Sequence, residues 1–436
     1  MLERLFKLSD HNTTVQTELL AGATTFLTMS YIVFVNPDIL ASTGMDRGAC
    51  FVATCVAAAV GSVLMGLLAN YPVGLAPGMG LNAFLAFTVV AGMGYTWPQA
   101  LGLVFLSGCI FLLLTATGIR RWLIAGIPSS LRSSIAAGIG LFLALIGLQK
   151  AHIIVADPHT LVTLGDLHQA PPLLALGGFM LIAIMEARRI RGSILIGILA
   201  VTLAGIALGD LHYKGLVAMP PSLSPTWLKL DIPGALHADH GGLAFALLHV
   251  VLVFVLVEMF DATGTLMGVA QRAGLLADPA KRHRLGKALF ADSTAILAGS
   301  LIGTSSTTAF VESAAGVQAG GRTGLTAITV GALFLCALWF GPVASLVPAY
   351  ATAPALIYVA GLMLRELVDI EWNDITEAAP AAICASAMPF TYSIANGLAL
   401  GFVSYVLLKL GAGRWRDVHP ATALIGALFV ARYALG

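Results

Sequence analysis

Apolar residues in this chain run in long blocks, with neither the alternation of a half-buried strand nor the single stripe of a surface helix. A bilayer core about 30 Å thick needs roughly 20 apolar residues per spanning helix. Blocks of about that length lie near 17–40, 49–69, 97–118, 131–149, 172–187, 193–210, 242–270, 284–303, 322–342, 351–368, 374–388 and 392–410. Two shorter stretches, near 77–91 and 312–321, are rich in glycine and lie between neighbouring blocks. A last run, Ala421 to Leu435, reads as a further span or as an interfacial helix. Met1–Ser9 is polar and no small-residue cleavage site follows the first block, so no cleavable signal is expected. The pattern predicts an all-α polytopic membrane protein.

Composition agrees with that reading. Of 436 residues only 10% are charged and 58% are hydrophobic, against about 25% charged in soluble domains. The mean hydropathy is +0.90. Lys plus Arg is 23 and Asp plus Glu is 22, which argues against nucleic acid as a partner. Cys50, Cys55, Cys109, Cys336 and Cys384 sit in apolar runs without metal-ligand spacing and read as small core residues. With the N-terminus inside and each short stretch counted as one crossing, 18 basic residues face the cytoplasm. Four (Arg47, Lys150, Lys214 and Lys229) face outward, and Arg432 is left unassigned. This bias supports fourteen crossings with both ends cytoplasmic, the tail aside. The long outer loops, 151–171 and 211–241, read as solvated segments that hold most of the histidines.

Fourteen crossings divide into seven and seven, and the sequence carries echoes of an inverted repeat. Val60–Gly80 aligns with Ala298–Gln318 without a gap, placing Gly78 on Gly316. Similar echoes link 127–147 with 347–367 and 170–200 with 378–408. The expected organisation is a first repeat at 1–210, an extracytoplasmic linker at 211–241, a second repeat at 242–411 and a tail at 412–436. Short interrupted segments in matching halves of an inverted repeat point to a transporter's binding site. Tyr71–Ala76 before Pro77, and Thr307–Val311 before Glu312, are such segments, each predicted as extended backbone leading into a half-helix. Asn36-Pro37 is expected to end or kink the first helix.

Ionisable groups inside a membrane are costly and usually functional. Glu258 and Asp261 share one helix face, and Glu312 opens the second half-helix. Asn82 lies one turn into the first half-helix. No lysine or arginine is expected in a span to neutralise Glu258. Each residue also has a structural alternative. Glu258 could bond a broken backbone, Glu312 could serve as a helix cap, Asp261 as a local cap or an interhelical tie, and Asn82 as a partner for a neighbouring carbonyl. The functional reading is preferred for Glu258, Glu312 and Asn82, and the two are about even for Asp261. Asp292 reads as structural or interfacial, and the lone His249 as a packing residue. The chain has no GxGD aspartate pair, no serine-nucleophile motif and no metal-ligand cluster, so neither an enzyme nor a metal or organic cofactor is expected.

The segments AGATTFLTMSYIVFVNPDIL (21–40), GLAPGMGLNAFLAF (74–87), FDATGTLMGVA (260–270), GTSSTTAFVESAAGVQAGGRTGLTA (303–327) and the stretch 374–405 carry a family resemblance. They are similar to the nucleobase–cation symporter-2 (nucleobase-ascorbate transporter) superfamily, in its adenine/guanine/hypoxanthine permease branch of azaguanine-resistance type. The resemblance implies two intertwined seven-helix repeats, with helices 1–4 and 8–11 as a substrate-bearing core and 5–7 and 12–14 as a gate. It implies proton-coupled uptake of a purine base across the inner (plasma) membrane, with the proton as coupling ion and a possible homodimer. On the family's pattern Glu258 grips N–H groups of the base, where many relatives carry Asp. Asp261, Glu312 and Asn82 fall on its other functional positions, with Thr265 and Ser313 as weaker matches. Glu258, Glu312 and Asp261 are the candidates for the coupling proton. Phe26, Tyr31, Phe84 and Phe260 are candidates for an aromatic wall against a flat heterocycle. A same-fold carrier of sulfate or bicarbonate is the competing transporter reading, less favoured because the site presents carboxylates.

Overall fold

The computed structural model describes residues 2–209, 215–237, 242–275 and 283–435; Lys214, Lys281 and Arg282 of the charge count lie outside the described residues. Ten helices in it are long and apolar enough to cross a membrane. They are α1 (Val15–Ala41), α2 (Arg47–Ala69), α4 (Trp97–Thr117), α5 (Ser129–Lys150), α6 (Ala170–Ala187), α8 (Gly242–Arg272), α9 (Arg284–Ile302), α11 (Gly324–Leu346), α12 (Ala349–Asp369) and α14 (Ile394–Gly411). Between them lie the shorter α3 (Met79–Gly92) and α7 (Ser193–Ala207). Two further helices complete the fourteen, α10 (Ser313–Gln318) and α13 (Ile375–Phe390). These fourteen helices fall where the apolar blocks and the two glycine-rich stretches predict them.

Side-chain caps set several helix starts. Thr14 accepts from the Thr17 N–H and Asp46 from the Ala49 N–H, each satisfying an orphan donor of the first turn. Thr96 and Gln99 form a capping box at the start of α4. The interruption in α1 falls at Ser30–Tyr31, and Pro37 sits inside the segment Ile32–Ala41 without ending it.

Without water to drive helices together, close packing through small residues does most of that work in a membrane. In one bundle, Gly22 of α1 faces Thr329 of α11, Gly66 of α2 faces Gly324 of α11, and Gly108 of α4 faces Leu297 of α9. In another, Gly138 and Gly140 of α5 face Met388 of α13 and Met363 of α12, while Gly401 of α14 faces Cys384 of α13. The extended stretches before α3 and α10 are the strands β1 (Leu75–Pro77) and β4 (Thr307–Ala309). They pair antiparallel, Leu75 with Ala309 and Pro77 with Thr307, deep inside the first bundle. Non-helical backbone is tolerated at membrane depth only where protein covers it, and all six residues are buried.

Several expectations are corrected. The outer loop after α5 folds into a hairpin of β2 (Ile154–Asp157) and β3 (Leu161–Leu164). Cys336 is exposed on the outside of α11, unlike the buried Cys50, Cys55 and Cys384. Arg120 and Lys409, counted as cytoplasmic loop charges, are each only 1% exposed. The Lys409 ammonium bonds Glu377 at 2.8 Å. The tail forms α15 (Pro420–Leu435), which lies lengthwise against α14. Thr422 donates to the Gly126 carbonyl at one end, Phe429 meets Phe402 midway, and Arg432 reaches Asn396 at the other.

Candidate functional site

The crossing of β1 and β4 is the frame of the site. Phe310 N–H donates to the Gly74 carbonyl at 3.0 Å and Gly78 N–H to the Ser306 carbonyl at 2.9 Å, so the two breaks are stitched at both ends. The Ser313 hydroxyl accepts from Gly74 N–H at 3.0 Å. Asp292 on α9 accepts from Ala309 N–H at 3.1 Å and from the Thr308 hydroxyl at 3.2 Å. One oxygen of Asp292 therefore clamps β4, which is the structural role read for it.

The predicted carboxylates converge on this frame. Glu258 of α8 is fully buried. Its Oε1 accepts from the Ser306 hydroxyl, with Ser107 of α4 at 3.5 Å, while Oε2 finds no partner among the described residues. Asp261, one turn further along α8, sets its carboxylate against Gly78 at the start of α3: a Cβ on that glycine would stand 3.7 Å from Asp261 Oδ2. A carboxylate at a helix N-terminus is favourable in itself. Glu312 stands at the N-cap position of α10, and its Oε1 accepts from the Tyr31 hydroxyl at 2.7 Å.

Asn82 joins the same cluster from α3, donating to Asn36 of α1 and accepting from the Ser305 hydroxyl. Adjacent serines thus hold two polar heads, Ser305 that of Asn82 and Ser306 that of Glu258. The aromatic candidates separate. Tyr31 lies 6.5 Å from Phe310 and serves Glu312 as a donor. Phe84 packs edge-on to Phe254 at 4.9 Å, fully buried. Phe26 packs edge-on to Phe334 of α11 at 5.1 Å. Phe260 and Thr265 are half-buried on α8.

Arg120 supplies the cation the sequence did not place. Its guanidinium donates to Thr263 of α8 at 2.9 Å and to Thr115 at 3.4 Å, and lies 4.1 Å from the Phe111 ring centre. Thr115 meets Ser293, the neighbour of Asp292, at 3.1 Å. Ser107, Asn36, Ser305 and Ser306 were also missed. The run GTSSTT carried the signal for the last two, since consecutive hydroxyls beside a helix break have no helix backbone to bond.

Two half-helices meeting at a paired break, with buried acidic groups facing it, define a membrane transporter of the crossed-repeat class. The family model described as Xan_ur_permease, Permease family, matches residues 16–400, and the chain belongs to that family. It is 50% identical to the adenine permease AdeP of Escherichia coli (strain K12) over 430 residues, covering 99% of this chain and 95% of that protein. It is 44% identical to the guanine/hypoxanthine permease PbuO of Bacillus subtilis (strain 168) over 432 residues, 98% of each chain. Among solved structures, the transmembrane domain of the cyanobacterium bicarbonate transporter BicA superposes with a TM-score of 0.65 at 18% identity. That match covers 87% of this chain and 97% of that one, and concerns the fold alone.

Proposed function

We propose that this chain imports purine nucleobases (adenine, guanine or hypoxanthine) together with protons across the cytoplasmic (inner) membrane, its N-terminus inside. The observation that carries the reading is the convergence of Glu258, Asp261 and Glu312 on the two helix breaks. A purine offers ring N–H donors and nitrogen acceptors around a flat apolar face. The free Glu258 Oε2 is an acceptor for such an N–H, and the Asn82 amide a partner for the heterocycle's edge. Relatives named as adenine and as guanine/hypoxanthine permeases support the purine class. A site this rich in carboxylates disfavours the same-fold anion-carrier reading, because like charges repel at short range. The core of α1–α4 and α8–α11 would move against the gate of α5–α7 and α12–α14, with the coupling proton on Glu258, Asp261 or Glu312.

Uptake of radiolabelled adenine and hypoxanthine by cells lacking their own purine permeases tests this. Uptake should collapse with a protonophore and be competed by purines but not by bicarbonate or sulfate. Glu258→Gln should weaken uptake about 10- to 100-fold, the worth of a hydrogen bond to a charged group. Protonophore-insensitive uptake, or full activity and full proton dependence in both Glu258→Gln and Glu312→Gln, contradicts the reading.

A further inference from the structure

The amide of Asn36 is oriented without ambiguity. Thr54 spends its only hydroxyl proton on the Cys50 carbonyl at 2.6 Å. Its oxygen can therefore only accept from Asn36, at 2.7 Å, and this fixes Nδ2 on that side. The same Nδ2 donates to Thr304 at 3.0 Å, which uses its second hydrogen. Asn36 Oδ1 is left facing α3, and the group opposite must be a donor. That group is Nδ2 of Asn82, whose own Oδ1 then accepts from Ser305. The chain of bonds runs one way through five buried side chains, and both asparagines are fully enclosed. Asn82 keeps one N–H and one oxygen lone pair, each on a side set by Asn36.

We propose that Asn36 is a positioning residue for base selection: it fixes which edge of the Asn82 amide meets the substrate, and so whether that position offers a donor or an acceptor. The inference rests on the purine reading above and deepens it. Purines that differ by an amino or an oxo group at one ring carbon present opposite hydrogen-bonding partners there. A flipped amide exchanges NH₂ for C=O, so loss of Asn36 should blur discrimination between the two types. The sequence reading gave Asn36 only a role in bending α1; the hydrogen-bond directions give it this one.

The experiment compares KM for radiolabelled adenine and hypoxanthine in wild type, Asn36→Ala, Asn82→Ala and the double variant. The adenine-to-hypoxanthine ratio of KM should move about tenfold in Asn36→Ala while kcat stays within about threefold, the size of one misdirected hydrogen bond. In the Asn82→Ala background the second substitution should leave the ratio where Asn82→Ala put it, because Asn36 acts through that amide. An unchanged ratio in Asn36→Ala overturns the proposal, as does an equal shift with or without Asn82. Should Asn36→Ala fail to reach the membrane, Asn36→Leu removes the same acceptor with a side chain of similar shape: a shifted ratio supports the proposal and an unchanged one overturns it. Absence of purine uptake in the wild type strikes the purine reading itself, whereas an unchanged ratio strikes this inference alone.

Discussion

The hydroxyl of Tyr31 shows how a residue's role can differ from its type. As an aromatic side chain it belongs to the candidate wall; in the structure its hydroxyl is the donor that holds Glu312 at the mouth of α10. Tyr31→Phe keeps the ring and removes that bond. Uptake should fall about tenfold or more in kcat/KM, as for a lost bond to a charged group. Tyr31→Phe transport equal to wild type would show that Glu312 is held by other means. The acidic residues were legible because a charge in an apolar run has few innocent explanations. Asn36, Ser305 and Ser306 were not, because hydroxyl and amide side chains inside membrane helices commonly bond their own backbone, as Thr24 and Thr202 do here. Arg120 escaped because it follows a helix end by three residues, where a solvated position is the ordinary outcome.

Among the elements, the two breaks were visible as Gly- and Pro-interrupted runs, but their pairing as β1 and β4 was not. Which of two distant segments lie side by side depends on helix packing that no local pattern records. Gly316 of α10 is part of that packing: a Cβ there would stand 2.0 Å from Thr25 Oγ1 and 2.7 Å from the Ala21 carbonyl. Gly316→Val should therefore push α10 off α1, cost about 1–3 kcal/mol of overpacking strain or more, and lower the melting temperature in detergent together with uptake. Gly264→Ala is the control, since open space surrounds that glycine. The β2–β3 hairpin was missed for a different reason. It is a short exposed ribbon whose strand signal is lost among polar turn residues.

At the scale of the molecule, an ion pair spans the two bundles. Lys150 at the end of α5 bonds Asp38 of α1, and Arg47 at the start of α2 lies 3.8 Å from the same carboxylate. Arg47 also donates to the Val347 carbonyl between α11 and α12, at 2.8 Å. On α8, Glu258 is enclosed, whereas Asp261 and Thr265 are part-exposed on a face that also carries the exposed Gly264 and Gly268. If α5 moves with the proposed gate, opening toward Asp38 must part this pair. Lys150→Asp alone sets like charges together and should cut uptake several-fold, while Asp38→Lys with Lys150→Asp should recover much of it, the repulsion costing about 1–4 kcal/mol at partly exposed positions. A double variant no better than either single one would mean the pair does not act as a clasp.

The helix that follows α14 has a consequence for how the protein can be wired into a cell. Because α15 retraces α14 in the reverse direction, its last turns return to the level of Asn396 at the start of α14. If α15 crosses the bilayer beside α14, soluble modules grafted at the two extremities would inhabit separate compartments. With the N-terminus inside, as proposed above, the leading one alone would share an aqueous phase with the enzymes that use the cargo.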